Sequence, residues 1–168
     1  MTQKTNRRLR NGGQTARYRH VEAGVNSRLD EMQAAVLRAR LPFLAGWTAR
    51  RRALATRYRE ALAPAAVRLP AECDPGHVYH LFPVLTDDRD GLQAHLEDRG
   101  VGTLIHYPIP VHRQEAFASL PPADCPETDR LCREVCSLPL HPHLSDVDAL
   151  AVTDAVLHWT AARETPAP

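Results

Sequence analysis

The chain has 168 residues, of which 43% are hydrophobic and 24% charged, and its formal net charge is +1. That length suits an ordinary globular domain with a sizeable core, and the composition excludes a disordered chain. A charge this close to zero provides no field that would select nucleic acid or an anionic membrane, so neither is an expected partner.

Cys73, Cys125, Cys132 and Cys136 are the cysteines, and no apolar run has the length of a bilayer span or the pattern of a secretory signal. A soluble cytoplasmic protein with free thiols is the expectation. Lys4 is the single lysine; every other cationic side chain with a fixed charge is arginine.

In chain order, Arg7-Arg8-Leu9-Arg10 followed by Asn11-Gly12-Gly13 reads as the last turn of a helix and its glycine stop. Tyr18 and His20 lie in the loop leading to Gly24. Ser27 with Asp30 has capping-box spacing and predicts a helix running from Ser27 toward Leu41, with Leu29, Met32 and Val36 on one face. Pro42 is expected to break or kink it. A second helix carries Phe43, Trp47, Leu54, Tyr58 and Leu62 on one face, and Arg50, Arg51, Arg52, Arg57 and Arg59 on another, and Pro64 closes it. Without interleaved aromatics, the arginines read as a solvated face rather than a nucleic-acid patch.

Residues 64–76 form a Pro/Ala linker ending in an Asp74-Pro75-Gly76 turn. The boundary is placed there: residues 1–63 as loop and helices, residues 77–162 as a small α/β domain. Residues 77–85 read as a strand that, given Pro83, lies at an edge or ends early. Asp87 to Asp90 begin a helix with Leu92 and Leu96 inward and Gly100 as its stop, and Val101 to Tyr107 read as a second strand. A short helix is expected over Val111 to Phe117, and another from Pro126. Ser137-Leu138-Pro139-Leu140 is expected to be extended. Ser145 with Asp148 caps a final helix carrying Val152, Ala155, Val156 and Trp159.

For chemistry, the spacing of Cys132, Cys136, His141 and His143 contains no Cys-x-x-Cys pair, so no metal site is expected. Nucleophile elbows, Walker loops and cysteine-hydrolase signatures are also missing. The strand end His106-Tyr107-Pro108-Ile109-Pro110 presents two polar aromatic side chains at a stiff edge. On chemistry alone it serves equally as a site or as packing.

The string Gly24-Val25-Asn26-Ser27-Arg28-Leu29-Asp30-Glu31-Met32-Gln33-Ala34-Ala35 resembles a signature of the DegT/DnrJ/EryC1/StrS family of nucleotide-sugar aminotransferases. Four other stretches resemble the same family: Arg8-Leu9-Arg10-Asn11-Gly12-Gly13, Val78 to Phe82, Ile105-His106-Tyr107-Pro108 with His112-Arg113-Gln114, and Ser137 to Pro142. The resemblance runs from about Arg7 to Trp159 and looks closest to the branch that aminates 3-keto-6-deoxy nucleotide sugars.

That resemblance implies an α/β (α+β) fold: the C-terminal small domain of a fold-type I aminotransferase, preceded by long helices, with the large domain that binds pyridoxal phosphate (PLP) missing. It implies a homodimer or a large-domain aminotransferase partner, and a nucleotide sugar as ligand. By resemblance, Asn26 reaches the PLP phosphate of the partner subunit and Arg28 lies beside it. Arg17 and Tyr18 lie near the sugar-nucleotide end, and His106 and Tyr107 border the substrate pocket. No catalytic residue is carried over, because the Thr2-Gln3-Lys4-Thr5 context of the one lysine does not resemble the lysine motif that forms the Schiff base. The chain is therefore expected to be inactive alone. The alternatives are a non-catalytic interaction module or gene remnant, and a PLP-independent enzyme acting on a sugar nucleotide through His106 and Tyr107. The apolar faces around Leu29, Val36 and Trp47 are expected to drive self-association.

Overall fold

The computed structural model describes residues 3–16, 19–27, 29–117, 119, 121 and 123–164. It forms two compact units, Met1–Leu44 and Ala45–Pro168. The second helix of the sequence reading thus falls almost wholly in the second unit, not with the residues before Pro64.

In the first unit, α1 (Gln3–Leu9) stops at two glycines in the left-handed region, Gly12 at φ 68° and Gly13 at φ 71°. The Gly13 amide closes the helix end on Arg8 O at 2.9 Å. β1 (Gln14–Ala16) and β2 (Arg19–His20) pair antiparallel. α2 (Glu31–Arg40) begins three residues later than the spacing predicts, with Asp30 at its N-cap and no side-chain cap bond. Ser27 is not the cap. Its amide donates to Arg10 O at 2.8 Å, which keeps the chain extended against the end of α1 until it is past Ser27. Leu29, Met32, Val36 and Leu37 share one exposed face of this segment. A 3-10 turn, Leu41–Phe43, with Pro42 in its first turn, follows α2 where the break was expected.

The second unit is built on α3 (Leu44–Ala61), β3 (Phe82–Leu85), α4 (Arg89–Glu97), α5 (Pro126–Glu134), β4 (Val135–Leu138) and α6 (Asp146–Glu164). β3 and β4 pair antiparallel from Phe82 opposite Leu138 to Leu85 opposite Val135. Single bridges widen this sheet on both sides, Arg68 to Leu85 and Leu104 to Ser137. Pro83 is tolerated because it stands opposite Ser137 at a position that exchanges no bonds with β4; the ladder uses the alternate residues.

Two expected strands are corrected. The first is only Phe82–Leu85, because Tyr79 sits at φ 49° and the carbonyls of His77, Tyr79 and His80 are taken by arginines of α3. In the second, residues 101–107, the only ladder contact is the Leu104 bridge, so it is an extended edge rather than a strand. The expected helix over Val111 to Phe117 is two 3-10 turns, Val111–Arg113 and Glu115–Phe117.

The core lies between α3, the sheet, α4 and α6. Leu54, Tyr58, Leu62, Val84, Leu92, Leu96 and Val156 are fully buried, and Phe82 and Trp159 nearly so. Burial of such aliphatic side chains contributes about 1.5–3 kcal/mol each. The Tyr58 ring meets Phe82 edge-on at 5.1 Å and its hydroxyl donates to Pro139 O at 2.9 Å. Asp88 caps α4 by accepting from the Gly91 amide at 3.1 Å. The Ser145 hydroxyl caps α6 by accepting from the Asp148 amide at 3.0 Å, as its spacing predicts.

The arginine row of α3 corrects the solvated-face expectation. Arg50 donates to Leu144 O, Arg51 to the carbonyls of Tyr79, His80 and Leu140, Arg52 to His77 O, and Arg59 to Pro70 O. Arg50 and Arg57 also pair with Asp146 at 2.6 and 2.7 Å. The row ties loops to the helix.

Leu96→Ala leaves a cavity among fully buried neighbours and is expected to lower unfolding stability by about 2–5 kcal/mol, whereas Leu150→Ala on the exposed face of α6 changes it by under about 0.5 kcal/mol. Urea unfolding of the two variants checks the contrast; equal losses would contradict this core.

Candidate functional site

The Asn26 loop is positioned mainly by backbone hydrogen bonds. Residues 21–27 run back along the end of α1: Val21 donates to Gly13 O, Gly12 to Val25 O, Val25 to Leu9 O and Ser27 to Arg10 O, all at 2.8–3.0 Å. Asn26 bridges Asn11 in the same antiparallel run. The approach is too close for side chains. A Cβ on Gly24 would stand 2.3 Å from Gly13 N and 2.5 Å from Leu9 O, and one on Gly13 would stand 1.8 Å from Glu22 O. An Arg8–Glu22 ion pair and the His20 ring, whose Nδ1 is 2.7 Å from Gly12 O, brace the loop. Asn26 is thus an exposed carboxamide at a fixed exit point, a neutral donor suited to an anionic oxygen. Arg17, Tyr18 and Arg28 lie outside the described residues.

His106 and Tyr107 lie in the second unit, on the extended edge beyond β4. Their rings meet edge-on, 5.6 Å apart at 87°, and the peptide between them is cis. Tyr107 is 70% exposed and His106 half-buried. His106 Nδ1 is 3.0 Å from Ser137 Oγ, while both backbone groups of Ser137 bond Leu104, two residues before His106. Ser137 was read from the sequence only as part of an extended piece. Thirty-one positions separate it from His106, so no local signal could join them.

An open cleft of about 880 Å³ is lined by Val111, His112, Arg113, Glu115, Phe117 and Thr128, among others. Arg113 grips Asp129 with two bonds, at 2.9 and 2.6 Å, and its guanidinium is the main reason the Asp129 carboxyl is held down at about 2. His112 Nε2 lies 3.1 Å from the same carboxylate but off the line of a hydrogen bond. Among the described residues no cluster of three or more metal-ligating side chains occurs. All four cysteines are free, and burial pushes the Cys136 thiol up, away from nucleophilic character. No described helix is long and apolar enough to cross a membrane.

A model of the DegT/DnrJ/EryC1/StrS aminotransferase family matches residues 1–157. The chain belongs to that family. It is 48% identical over 157 residues to the dTDP-3-amino-3,4,6-trideoxy-alpha-D-glucose transaminase of Streptomyces venezuelae, covering 91% of this chain and 41% of the relative. It is 40% identical over 149 residues to the dTDP-3-amino-3,6-dideoxy-alpha-D-galactopyranose transaminase of Aneurinibacillus thermoaerophilus, covering 88% and 41%. The crystal structure of S. venezuelae DesV in complex with ketimine intermediate superimposes with a TM-score of 0.88 at 45% identity, covering 98% of this chain and 44% of that one. The chain therefore spans about two-fifths of the length of the relatives it matches.

DegT/DnrJ/EryC1/StrS enzymes depend on PLP, and several of the relatives are named as nucleotide-sugar aminotransferases. The residues of this chain fit one end of that cofactor. Asn26 presents an amide donor at a loop whose course is fixed, which suits a phosphate. For the aldehyde end the only lysine is Lys4, exposed on α1 in a context unlike the family's lysine motif.

Gly24→Ala is expected to force residues 21–27 off the end of α1. The amides of Gly12, Val25 and Ser27 would lose protection from hydrogen exchange while those of the second unit keep theirs, and unchanged protection would refute the close approach. The depressed Asp129 carboxyl gives a second expectation. Its contribution to stability is complete above its unfolded value near 4 and is lost as the pH falls toward 2. Urea midpoints between pH 4.5 and 2 should fall more steeply for the native sequence than for Asp129→Asn; parallel curves would show that the Arg113 pairing contributes nothing.

Proposed function

We propose that this chain supplies the carboxy-terminal part of a PLP-dependent transaminase that moves an amino group from glutamate to a dTDP-linked 3-keto-6-deoxy sugar. The observation that carries the reading is the Asn26 loop. A close contact of Gly13 with Gly24 that leaves no room for a Cβ carries the loop with its exposed carboxamide. The two dTDP-sugar relatives, 48% and 40% identical, support the substrate class.

In this reading Asn26 holds the cofactor phosphate of a partner subunit, with Arg28 beside it. His106 and Tyr107 border the sugar, and Arg17 and Tyr18 lie toward the nucleotide. PLP, when bound, supplies the electron sink for moving the amino group. The chain's own residues bind, orient and shield. Lys4 does not fill the lysine role, so the chain is inactive alone and acts with a large-domain partner or within a dimer. The exposed face of Leu29, Met32, Val36 and Leu37 is the surface such association would cover.

The test is complementation. The amino-terminal part of the S. venezuelae relative, lacking the matched stretch, is co-expressed with this chain, and cofactor retention and glutamate-dependent amination of the dTDP-3-keto sugar are measured. Activity is expected only in the combination. Asn26→Ala removes one hydrogen bond to a charged oxygen, worth about 1.5–3 kcal/mol, and should weaken cofactor retention roughly tenfold to a hundredfold. If the combination neither retains cofactor nor aminates, the reading fails and an interaction module takes its place. Sugar-nucleotide turnover by the lone chain would instead favour PLP-independent chemistry at His106 and Tyr107.

A further inference from the structure

The Ser137 hydroxyl is buried, with the residue only 5% exposed. Among the described residues its one side-chain hydrogen-bond partner is His106 Nδ1, at 3.0 Å. A buried hydroxyl hydrogen without an acceptor is costly. The ring nitrogen is the acceptor within reach, so the hydroxyl donates and Nδ1 must carry a lone pair rather than a proton. A neutral imidazole holds one N–H, which then belongs to Nε2. Among the described residues Nε2 makes no hydrogen bond, and it is not among the sealed polar atoms. The backbone fixes the geometry a second time: Ser137 N donates to Leu104 O at 2.7 Å and Leu104 N to Ser137 O at 3.3 Å, which pins the residue two before His106 to β4. Ser137 stands opposite Pro83 at a position that exchanges no bonds with β3, so both of its backbone groups are turned to Leu104.

We infer that Ser137 is a positioning residue that locks His106 in the Nε2–H tautomer, so that the edge beyond β4 presents a hydrogen-bond donor to an acceptor oxygen of a bound sugar nucleotide. The Tyr107 ring meets the imidazole edge-on, 5.6 Å between centroids. The assignment of the ligand rests on the reading of His106 as a substrate-pocket residue; the tautomer lock does not. The pairing gives a specificity rule: an Nε2–H donor favours an oxygen with lone pairs over a ligand N–H or ammonium group in that place.

The tautomer is read by long-range proton–nitrogen NMR on the 15N-histidine-labelled full chain, above the pH at which histidine protonates, with His106 assigned by its loss in His106→Gln. The native chain should show a single Nε2–H tautomer for His106. Ser137→Ala should give a mixture of tautomers, and Ser137→Thr, which restores the hydroxyl, should return the single form. An Nδ1–H form in the native chain overturns the proposal without need of any variant, as does an Ala variant that folds and keeps the pure Nε2–H form. dTDP-glucose is then added to the native chain co-expressed with the amino-terminal part of the S. venezuelae relative. A shift of the His106 Nε2–H resonance that is absent in Tyr107 and Ser137 double-variant protein supports the donor role. An unmoved resonance beside an intact, Ser137-dependent tautomer would overturn the ligand assignment and leave the lock standing.

Discussion

Backbone carbonyls that no sheet can satisfy are the constraint on which the second unit depends. Its two strands have four residues each, and irregular loops lead from α3 into β3 and from β4 to α6. Each carbonyl in those loops needs a donor. α3 provides them. A guanidinium carries five N–H groups in a plane, and Arg51 alone reaches the carbonyls of Tyr79, His80 and Leu140, which belong to loops far apart in sequence. Arg50, Arg52 and Arg59 act likewise on Leu144, His77 and Pro70. The loop entering β3 and the loop leaving β4 are therefore tied to the same helix.

The two candidate ligand-facing positions are held in different ways. Asn26 owes its place to the absence of side chains, since only glycines allow the loop to lie on the end of α1. His106 owes its place to one side chain, Ser137, which belongs to the ladder through its backbone and to the histidine through its hydroxyl. A phosphate, fixed in charge and tolerant of angle, suits the first device. A sugar oxygen, which must be told from its neighbours by direction, suits the second.

Local chemistry was legible wherever one residue decides it. Gly100 ends α4, with its amide on Glu97 O and that of Val101 on Leu96 O. Pro126 opens α5 and Ser145 caps α6. Local reading failed where a distant partner competes. Ser27 has the chemistry of a cap, but its amide belongs to Arg10. Residues 101–107 have the β-branched character of a strand, but only Leu104 finds a partner. The arginines of α3 read as solvated because no sequence shows which carbonyls a fold leaves unpaired. For the candidate site, motif resemblance marked the exposed Asn26 and Tyr107 and the half-buried His106. The elements that hold them, Gly13 against Gly24 and Ser137 under His106, depend on contacts across a turn or across a sheet.

The glycine contact has an evolutionary consequence. A loop whose course is set by main-chain bonds and by missing Cβ atoms can exchange its outward side chains without changing its path. A change at Val25, which is exposed, leaves the main-chain path untouched, whereas a Cβ at Gly13 or Gly24 does not fit. The hairpin behind them acts as a cassette: lineages can retune what the loop touches by single substitutions and leave the scaffold's folding unaltered.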